Sequence, residues 1–498
     1  MSQSYNRYVD EYQNVHIQDQ VIGRGGQGVV FRTKDPDLAI KLVTDENGNP
    51  ATSESVLTKY TKRFNRVRLL PLPENINISV PAALIQNQPG YVMQLLSEMV
   101  PFSHFWLDGK SAEKISSEDI PEWLTGLKES EAKKLIHYCR TGGLKRRLIA
   151  LYKCASVLAR LHGSGFVYGD VSPNNIFLSE GTDDSTVWLI DADNIRFEIT
   201  EGGSVVYTPK YGAPELVQNR DGGRPSTDVY AFAVVAFYLL SLIHPFIGKR
   251  VDGSGESDWA ESELNEEDIE EKAYAGLLPW VDDDNDDSNG SNAGLPRSLL
   301  LTSKLSKLFA RTFGPGRSKP WLRPSIYYWP EALAQAADLM ITCPVCKMSY
   351  YFDHKNSEAE ENSCPYCESP RPQLLLLKSF CWRAPQASLK QVSWQYVLEI
   401  TENEKILIPR RVLTDFSMIS SDNSELTLGI SKQRIHLSRI EQKSDRFSVA
   451  VDSSTDGNFQ NLMSQIKINR SKSEHQFWLF AQINTPRLIS CSIVGGDE

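Results

Sequence analysis

Apolar and polar positions follow different rhythms in different parts of the chain. Near the N-terminus, VIGRGGQGVVFRT predicts a strand, a glycine turn and a second strand. After a turn at DPD, LAIKLV alternates as another strand. In ATSESVLTKYTKRF the apolar residues Val56, Leu57, Tyr60 and Phe64 fall on one helical face, with Thr52 or Ser53 as the cap. SVPAALIQNQPGYVMQLL predicts a hairpin running into a linker. A longer amphipathic helix follows in LKRRLIALYKCASVLARLHG. It presents Leu148, Leu151, Tyr152, Ala155, Leu158 and Leu161 and is ended by Gly163 and Gly165. The run at 230–243, YAFAVVAFYLLSLI, is apolar all round. It is too short to span a bilayer and meets His244-Pro245, so a buried core helix is expected. From Gln373 onward the runs are short and alternating, among them WQYVLEIT, KILIPRR, RFSVAVD and RLISCSIV. Turn residues separate them, which predicts an all-β sandwich or barrel.

With 498 residues, two or three domains are expected. Apolar residues make up 41% and charged residues 23%, which suits a soluble globular chain. The net charge of −10 argues against a general nucleic-acid or anionic-membrane binder. The opening MSQSYNRYVDEYQ is polar and carries no secretory signal, so a cytoplasmic location is expected. Residues 101–144 read as a polar insertion without assigned chemistry. Another insertion, at about 250–295, is densely acidic in VDGSGESDWAESELNEEDIEEKAY and WVDDDNDDSNGSN. It reads as a solvated segment or, alternatively, as a docking surface for a basic partner.

Of eight cysteines, Cys343, Cys346, Cys364 and Cys367 form two C-P-x-C knuckles, the spacing of a zinc ribbon. Four thiolates close a tetrahedral shell and leave no place for water, so the zinc would be structural. Disulfides are the alternative, and His354 is read as a hairpin residue rather than a ligand.

The candidate chemistry begins in FVYGDVSPNNIFL, where Asp170 and Asn175 sit in a polar loop between apolar runs. VWLIDADNI follows with Asp191, and YTPKYGAPE closes at Ala213, Pro214 and Glu215. Upstream, Gly23, Gly25, Gly26 and Gly28 form a G-x-G-x-x-G turn, and Lys41 sits on the next strand. A glycine hairpin, a solvated lysine and a chance D-x-D are the plain readings of these pieces taken singly. A dinucleotide-binding unit would place a helix after the glycines, whereas here a strand follows.

Taken together, these motifs resemble the protein-kinase catalytic core over 21–340. The resemblance implies a bilobal kinase-like fold (1–96 and 97–340); with the four-cysteine zinc ribbon (341–370) and a sandwich-like β interaction domain (371–498) read from spacing and alternation, a multidomain α+β chain is expected. It further implies that Ile22, the four glycines, Val30, Ala39 and Lys41 hold ATP. Glu54 would pair with the lysine, Met93 would line the adenine pocket, and the backbone of Gln94 and Leu96 would bind the adenine edge. Asn175 and Asp191 would ligate Mg2+, or Mn2+ in its place, and Asp170 would take the substrate proton. Asp193 would touch a second metal or cap its turn. Thr208 would order the substrate loop, with Ser204 and Tyr207 as phosphosite candidates. Asp228 would hold the catalytic loop, and Arg323 would pair with Glu215.

Departures are visible. Tyr168 and Gly169 replace the family's His-Arg, Ser172 stands where serine/threonine kinases carry lysine, and Asp-Ala-Asp replaces Asp-Phe-Gly. The GD-x-S-P-x-N form also resembles RIO-type and small-molecule kinases. The overall layout resembles bacterial eukaryotic-like kinases of the TerY-associated phosphorylation triads. The expected activity is Mg-ATP-dependent transfer to a protein serine or threonine, with a pseudokinase scaffold or a small-molecule kinase as alternatives. A regulatory partner would dock on the β domain, where Arg410, Arg411 and Arg434 line a phosphate site or a solvated surface, or on the acidic insertion.

Overall fold

A computed structural model describes residues 6–25, 28–45, 47–181, 185–198, 207–253, 266–352, 363–382, 391–401, 404–420, 422–440, 446–451 and 458–495. Gly26, Ser204, His354 and residues 254–265 of the acidic stretch lie outside them.

The N-terminal sheet is antiparallel, in the order β1-β2-β3-β4-β6-β5. Its strands are β1 (Arg7–Val9), β2 (Val15–Gly25), β3 (Gly28–Thr33), β4 (Leu38–Leu42), β5 (Ala83–Leu84) and β6 (Gly90–Gln94). Cross-strand partners share a face. Val30 pairs with Lys41, Lys41 with Tyr91 and Ala39 with Met93, so these side chains line one surface. Val29, Phe31, Ile40, Leu42 and Val92 alternate to the other surface and bury an apolar cluster with Tyr8 and Ile85. Helix α1 (Glu54–Arg68) covers the Lys41 side, packing Phe64, Tyr60 and Val56 on Tyr91, Leu84 and Met93. Gly28 is required sterically: a Cβ there would collide with the carbonyl of Leu42 on β4.

The next part is mainly helical. Strand β7 (Met99–Pro101) joins a short sheet, and α2 (Gly109–Glu113), α3 (Glu129–Arg140) and α4 (Gly143–Gly163) follow. The apolar stripe predicted for α4 is buried along its whole length. Residues 101–142 are folded onto α4 rather than lying loose: Ile115, Leu124, Ala132 and Ile136 bury an apolar cluster of their own, and Arg147 ties the two ends of the stretch. Its fully buried guanidinium donates to the carbonyls of Phe105 (3.0 Å), Tyr138 (3.2 Å) and Gly143 (2.9 Å) and to the Thr141 hydroxyl (3.0 Å). It also stacks between the Phe105 and Tyr138 rings.

Four short strands frame the polar loops: β8 (Phe166–Val167), β9 (Ile176–Ser179), β10 (Val187–Leu189) and β11 (Arg196–Phe197). Helix α5 (Pro214–Val217) precedes α6 (Pro225–Ser241), which is buried nearly throughout, as its uniformly apolar sequence requires. Part of the second acidic run is ordered around Asn289. This residue is wholly buried, and its amide donates to the carbonyls of Phe246 (3.0 Å) and Pro279 (2.9 Å).

Beyond the helix Tyr328–Ala337, a small hairpin of β12 (Met340–Thr342) and β13 (Ser349–Tyr351) carries the first cysteine pair. Two antiparallel sheets follow. One contains β14 (Leu374–Cys381), β15 (Val392–Glu399), β19 (Phe447–Ala450), β20 (Gln460–Asn461), β22 (His475–Ala481) and β23 (Arg487–Val494). The other contains β16 (Lys405–Pro409), β17 (Ser424–Ile430), β18 (Arg434–Arg439) and β21 (Gln465–Asn469). Their interior is continuous with the core of the helical part, a single apolar cluster running from Val67 to Val494. Asp338 is the polar centre of this junction. Its carboxylate accepts from Trp394 Nε1 and from Arg411 Nε and Nη2, each at 2.7 Å. Arg411 is thus a half-buried strut rather than a solvated residue, because Asp338 and Asp422 both engage its guanidinium. Arg410 lies 3.6 Å from Glu425, and Arg434 is exposed. Among the described residues no helix is long and apolar enough to cross a membrane.

Candidate active site

The surface of β4 that carries Lys41 faces the turn that follows β10. Lys41, 6% exposed, donates to Asp191 and to Asp193 Oδ2 (2.7 Å). The turn is tight: Asp191 is left-handed (φ 57°), a conformation aspartate tolerates, and 192–194 close a single 3-10 turn. Both carboxylates therefore converge on one ammonium. Burial pushes Asp191 up, but Lys41 more than offsets it and holds the carboxyl below its usual value. For Asp193 burial wins over Lys41, the Asp191 charge adds to it, and the carboxyl sits above its usual value. Burial lowers Lys41 less than the two carboxylates raise it.

Asp170 lies on the same side of the helical part. Its Oδ1 accepts from the Thr208 hydroxyl (2.7 Å), and its Oδ2 accepts from Asn175 Nδ2 (3.0 Å), which also donates to the Asp170 carbonyl. Burial, opposed by the Thr208 hydrogen bond and helped by the Asp191 charge, raises the Asp170 carboxyl. With its amide nitrogen committed to Asp170, Asn175 has its carbonyl oxygen left over. That oxygen and the Asp191 carboxylate are the hard donors a Mg2+ site needs.

The loop is held from beneath. Asp228, at the start of α6, accepts from the backbone N–H of Tyr168 (2.7 Å) and Gly169 (2.9 Å) and lies 3.0 Å from His162 Nε2. Tyr168 is buried and its hydroxyl donates to the Ile190 carbonyl, tying the loop to the strand that leads to Asp191. Gly169 (φ 88°) and Gly223 leave room for the guanidinium of Arg196. Glu215 meets Arg323 through paired bonds of 2.6 and 2.8 Å, with the guanidinium also on Ser226 and Gly316 carbonyls.

The remaining expected residues divide. Ala39 and Met93 lie on the Lys41 face, with Met93 packed against the α1 cluster; Val30 pairs with Lys41, and Gly23 pairs with Val30. Gly25 pairs with Gly28 at the hairpin end, and Ile22 is exposed beside it. Gln94 ends β6, and Leu96 lies just beyond it, after Leu95 N–H bonds the Asp37 carbonyl.

Glu54 departs from expectation. It is exposed in the first turn of α1, where a carboxylate suits the helix dipole, and it is not brought to Lys41. The residue α1 does send inward is Arg63, which donates to the Asp193 carbonyl (2.9 Å) and to Asn194 Oδ1. Its signal in the sequence is a basic residue beside Tyr60 and Phe64 on the apolar face. Ser172 is buried, and Lys210 lies over the Tyr274 ring, so neither places a cation beside Asp170.

The cysteine cluster is separate. The sulfurs of Cys343, Cys346, Cys364 and Cys367 lie within 4.8 Å of one another. Two pairs are 3.6 Å apart, close to the roughly 3.8 Å edge of a tetrahedron with Zn–S bonds of about 2.3 Å. Lys347 and Glu368, each following the second cysteine of its knuckle, are left-handed, which folds each knuckle tightly. The Ser369 hydroxyl lies 3.1 Å from both Cys343 and Cys367. The donor set and its spacing fit a four-coordinate zinc.

Comparison with known proteins agrees with this geometry. The protein kinase domain family matches residues 116–284, a span that includes Asp170, Asn175, Asp191 and Glu215. A serine/threonine-protein kinase PknD of Chlamydia pneumoniae is 26% identical over 248 residues, covering 46% of this chain and 24% of that protein. A serine/threonine-protein kinase PknL of Mycobacterium tuberculosis is 40% identical over 96 residues, 18% of this chain and 23% of that protein. The inhibitor of nuclear factor kappa-B kinase subunit beta of Mus musculus is 27% identical over 152 residues, covering 27% and 20%. The matched part thus spans about a quarter or less of the length of these relatives. The chain carries a protein kinase domain of the eukaryotic-like kind.

Proposed function

We propose that this chain is an ATP- and Mg2+-dependent protein kinase that phosphorylates serine or threonine hydroxyls. One observation carries the reading: Lys41 on the N-terminal sheet meets Asp191 from the helical part, beside the Asp170–Asn175–Thr208 cluster. These are the groups that phosphoryl transfer asks for, an ammonium for phosphate oxygens, hard oxygens for the metal and a carboxylate for the proton. The names of the bacterial relatives support the serine/threonine assignment.

When bound, Mg-ATP supplies the electrophilic γ-phosphorus and the ADP leaving group. Lys41 holds phosphate oxygens beneath the glycine turn, and Asp191 and Asn175 hold the metal. Asp170 accepts the hydroxyl proton as the oxygen attacks, and Thr208 keeps its carboxylate oriented. The hinge residues Gln94 and Leu96 offer backbone groups to the adenine, with Met93 behind them. The four cysteines hold a structural zinc, and protein substrates approach along 207–215.

The test is purified chain with Mg2+ and γ-labelled ATP, alongside Asp170→Ala and Asp191→Ala. Label on serine or threonine that vanishes in both variants is the expected result. ATP binding without transfer would replace this reading with a binding scaffold.

A further inference from the structure

The structure raises a question about Lys41. A metal ion drawn to Asp191 would compete with Lys41 for the same carboxylate. A lysine that loses its anchor swings, because its stem has several free torsions and its ammonium is a point charge without a preferred plane. A second partner would keep it in place, and the residue expected to be that partner, Glu54, is exposed in the first turn of α1.

We propose that Asp193 is the positioning residue for Lys41, taking the place of a helix carboxylate. The proposal rests on the kinase reading for its purpose, but its evidence is the geometry of this turn. Asp193 is 2% exposed, and its Oδ2 lies 2.7 Å from Lys41 Nζ. The left-handed Asp191 and the 3-10 turn after it bring the Asp193 side chain back to the ammonium that Asp191 also meets. The turn is then fixed from outside. Arg63 of α1 donates to the Asp193 carbonyl at 2.9 Å and to the side chain of Asn194. The contact between α1 and the lysine is therefore indirect, running from the arginine through the turn to the carboxylate.

The arrangement has a functional consequence. When Asp191 turns to a cation, Lys41 keeps one charged hydrogen bond and stays pointed at the site. Positioning of the lysine and the supply of the metal ligand come from the same short turn, two residues apart. In this design α1 does not need a carboxylate of its own, which explains why its only acidic residue can face solvent.

The experiment is a double-mutant cycle in the full-length chain. The variants are Lys41→Met, Asp193→Asn, their combination, Glu54→Gln, and Glu54→Gln with Lys41→Met. Two quantities are measured on each: the thermal midpoint of the nucleotide-free protein, and the Kd for Mg-ATP with its binding stoichiometry. Loss of a charge-assisted hydrogen bond corresponds to about a tenfold rise in Kd. We expect that rise in Asp193→Asn at unchanged stoichiometry, little further loss on adding Lys41→Met, and wild-type values for Glu54→Gln. The midpoints should show the same coupling between Lys41 and Asp193. A merely structural role for Asp193 would lower stoichiometry while leaving the Kd of the folded fraction unchanged, and that result overturns the proposal. So does coupling that appears between Lys41 and Glu54 instead. A wild-type chain that binds no nucleotide overturns the kinase reading and the positioning role together. A chain that binds nucleotide but shows additive Lys41 and Asp193 effects overturns the positioning role alone.

Discussion

Two buried ion pairs tie distant stretches of this chain together, and they are built differently. Glu215 and Arg323 meet in a bidentate pair at 2.6 and 2.8 Å. The guanidinium spends its other donors on two carbonyls and lies 4.8 Å from the centre of the Tyr230 ring. Every strong polar group of the pair has a fixed partner, and the planar fork leaves little freedom to exchange. Lys41 instead faces two carboxylates with one ammonium. Asp193 Oδ1 is buried without a hydrogen-bond partner, and the Asp191 side chain keeps 22% of its surface exposed. A fully satisfied pair is architecture. A pair with a carboxylate oxygen left unpartnered and one carboxylate open to solvent has room to accept another cation.

The sharpest way to break this contrast is to remove Asp191. Asp191→Ala should reduce phosphoryl transfer by about a thousandfold or more, because the metal loses its carboxylate. The fold should persist, since Lys41 retains Asp193. Arg323→Ala should do the reverse. It strands the Glu215 carboxylate in the core and should cost about 3–5 kcal/mol of stability, read by chemical denaturation. Any protein that remains folded should still bind ATP.

The cysteine cluster provides an intermediate case, because its four sulfurs are closely gathered at a spacing that fits a four-coordinate zinc. Zinc should be found near one per chain and should be lost in Cys343→Ser, with a lowered melting midpoint. That loss should be felt in the helical part, since Cys343, Cys346 and Cys364 belong to the core shared with α4. The smallest effect concerns pH. Burial raises the Asp170 carboxyl, and only its ionised form accepts a proton. Activity should therefore fall on acidification at a higher pH than an ordinary aspartate would give. Thr208→Ala removes a hydrogen bond that favours the charged form, so it should move this acid limb to still higher pH.

The motifs that the candidate site gathers were legible because each is local. The glycine turn, Lys41 on an alternating strand, and the Asp170–Asn175 loop each carry their own signature within a few residues. What lay hidden depends on packing between distant segments. Nothing near Asp193 in the sequence says that its carboxylate rather than that of Glu54 would meet Lys41. That outcome follows from a left-handed Asp191 and from Arg63 facing inward on α1. Arg147 has no sequence signature of its own in the run LKRRL, yet its buried guanidinium ties down the stretch that read as an insertion. Arg411 looked like surface charge and joins the C-terminal sheets to the helical part through Asp338. The alternation that predicted all-β structure after Gln373 was readable. The continuity of that core with the helical part was not, because periodicity records which side of a strand is apolar and not what covers it.

The most direct test of the central claim is calorimetric binding of ATP with and without Mg2+, on wild type and Asp191→Asn. The account predicts that Mg2+ tightens ATP binding to the wild type and that the variant loses this gain while still binding ATP through Lys41. Equal dependence on Mg2+ in both proteins would contradict it.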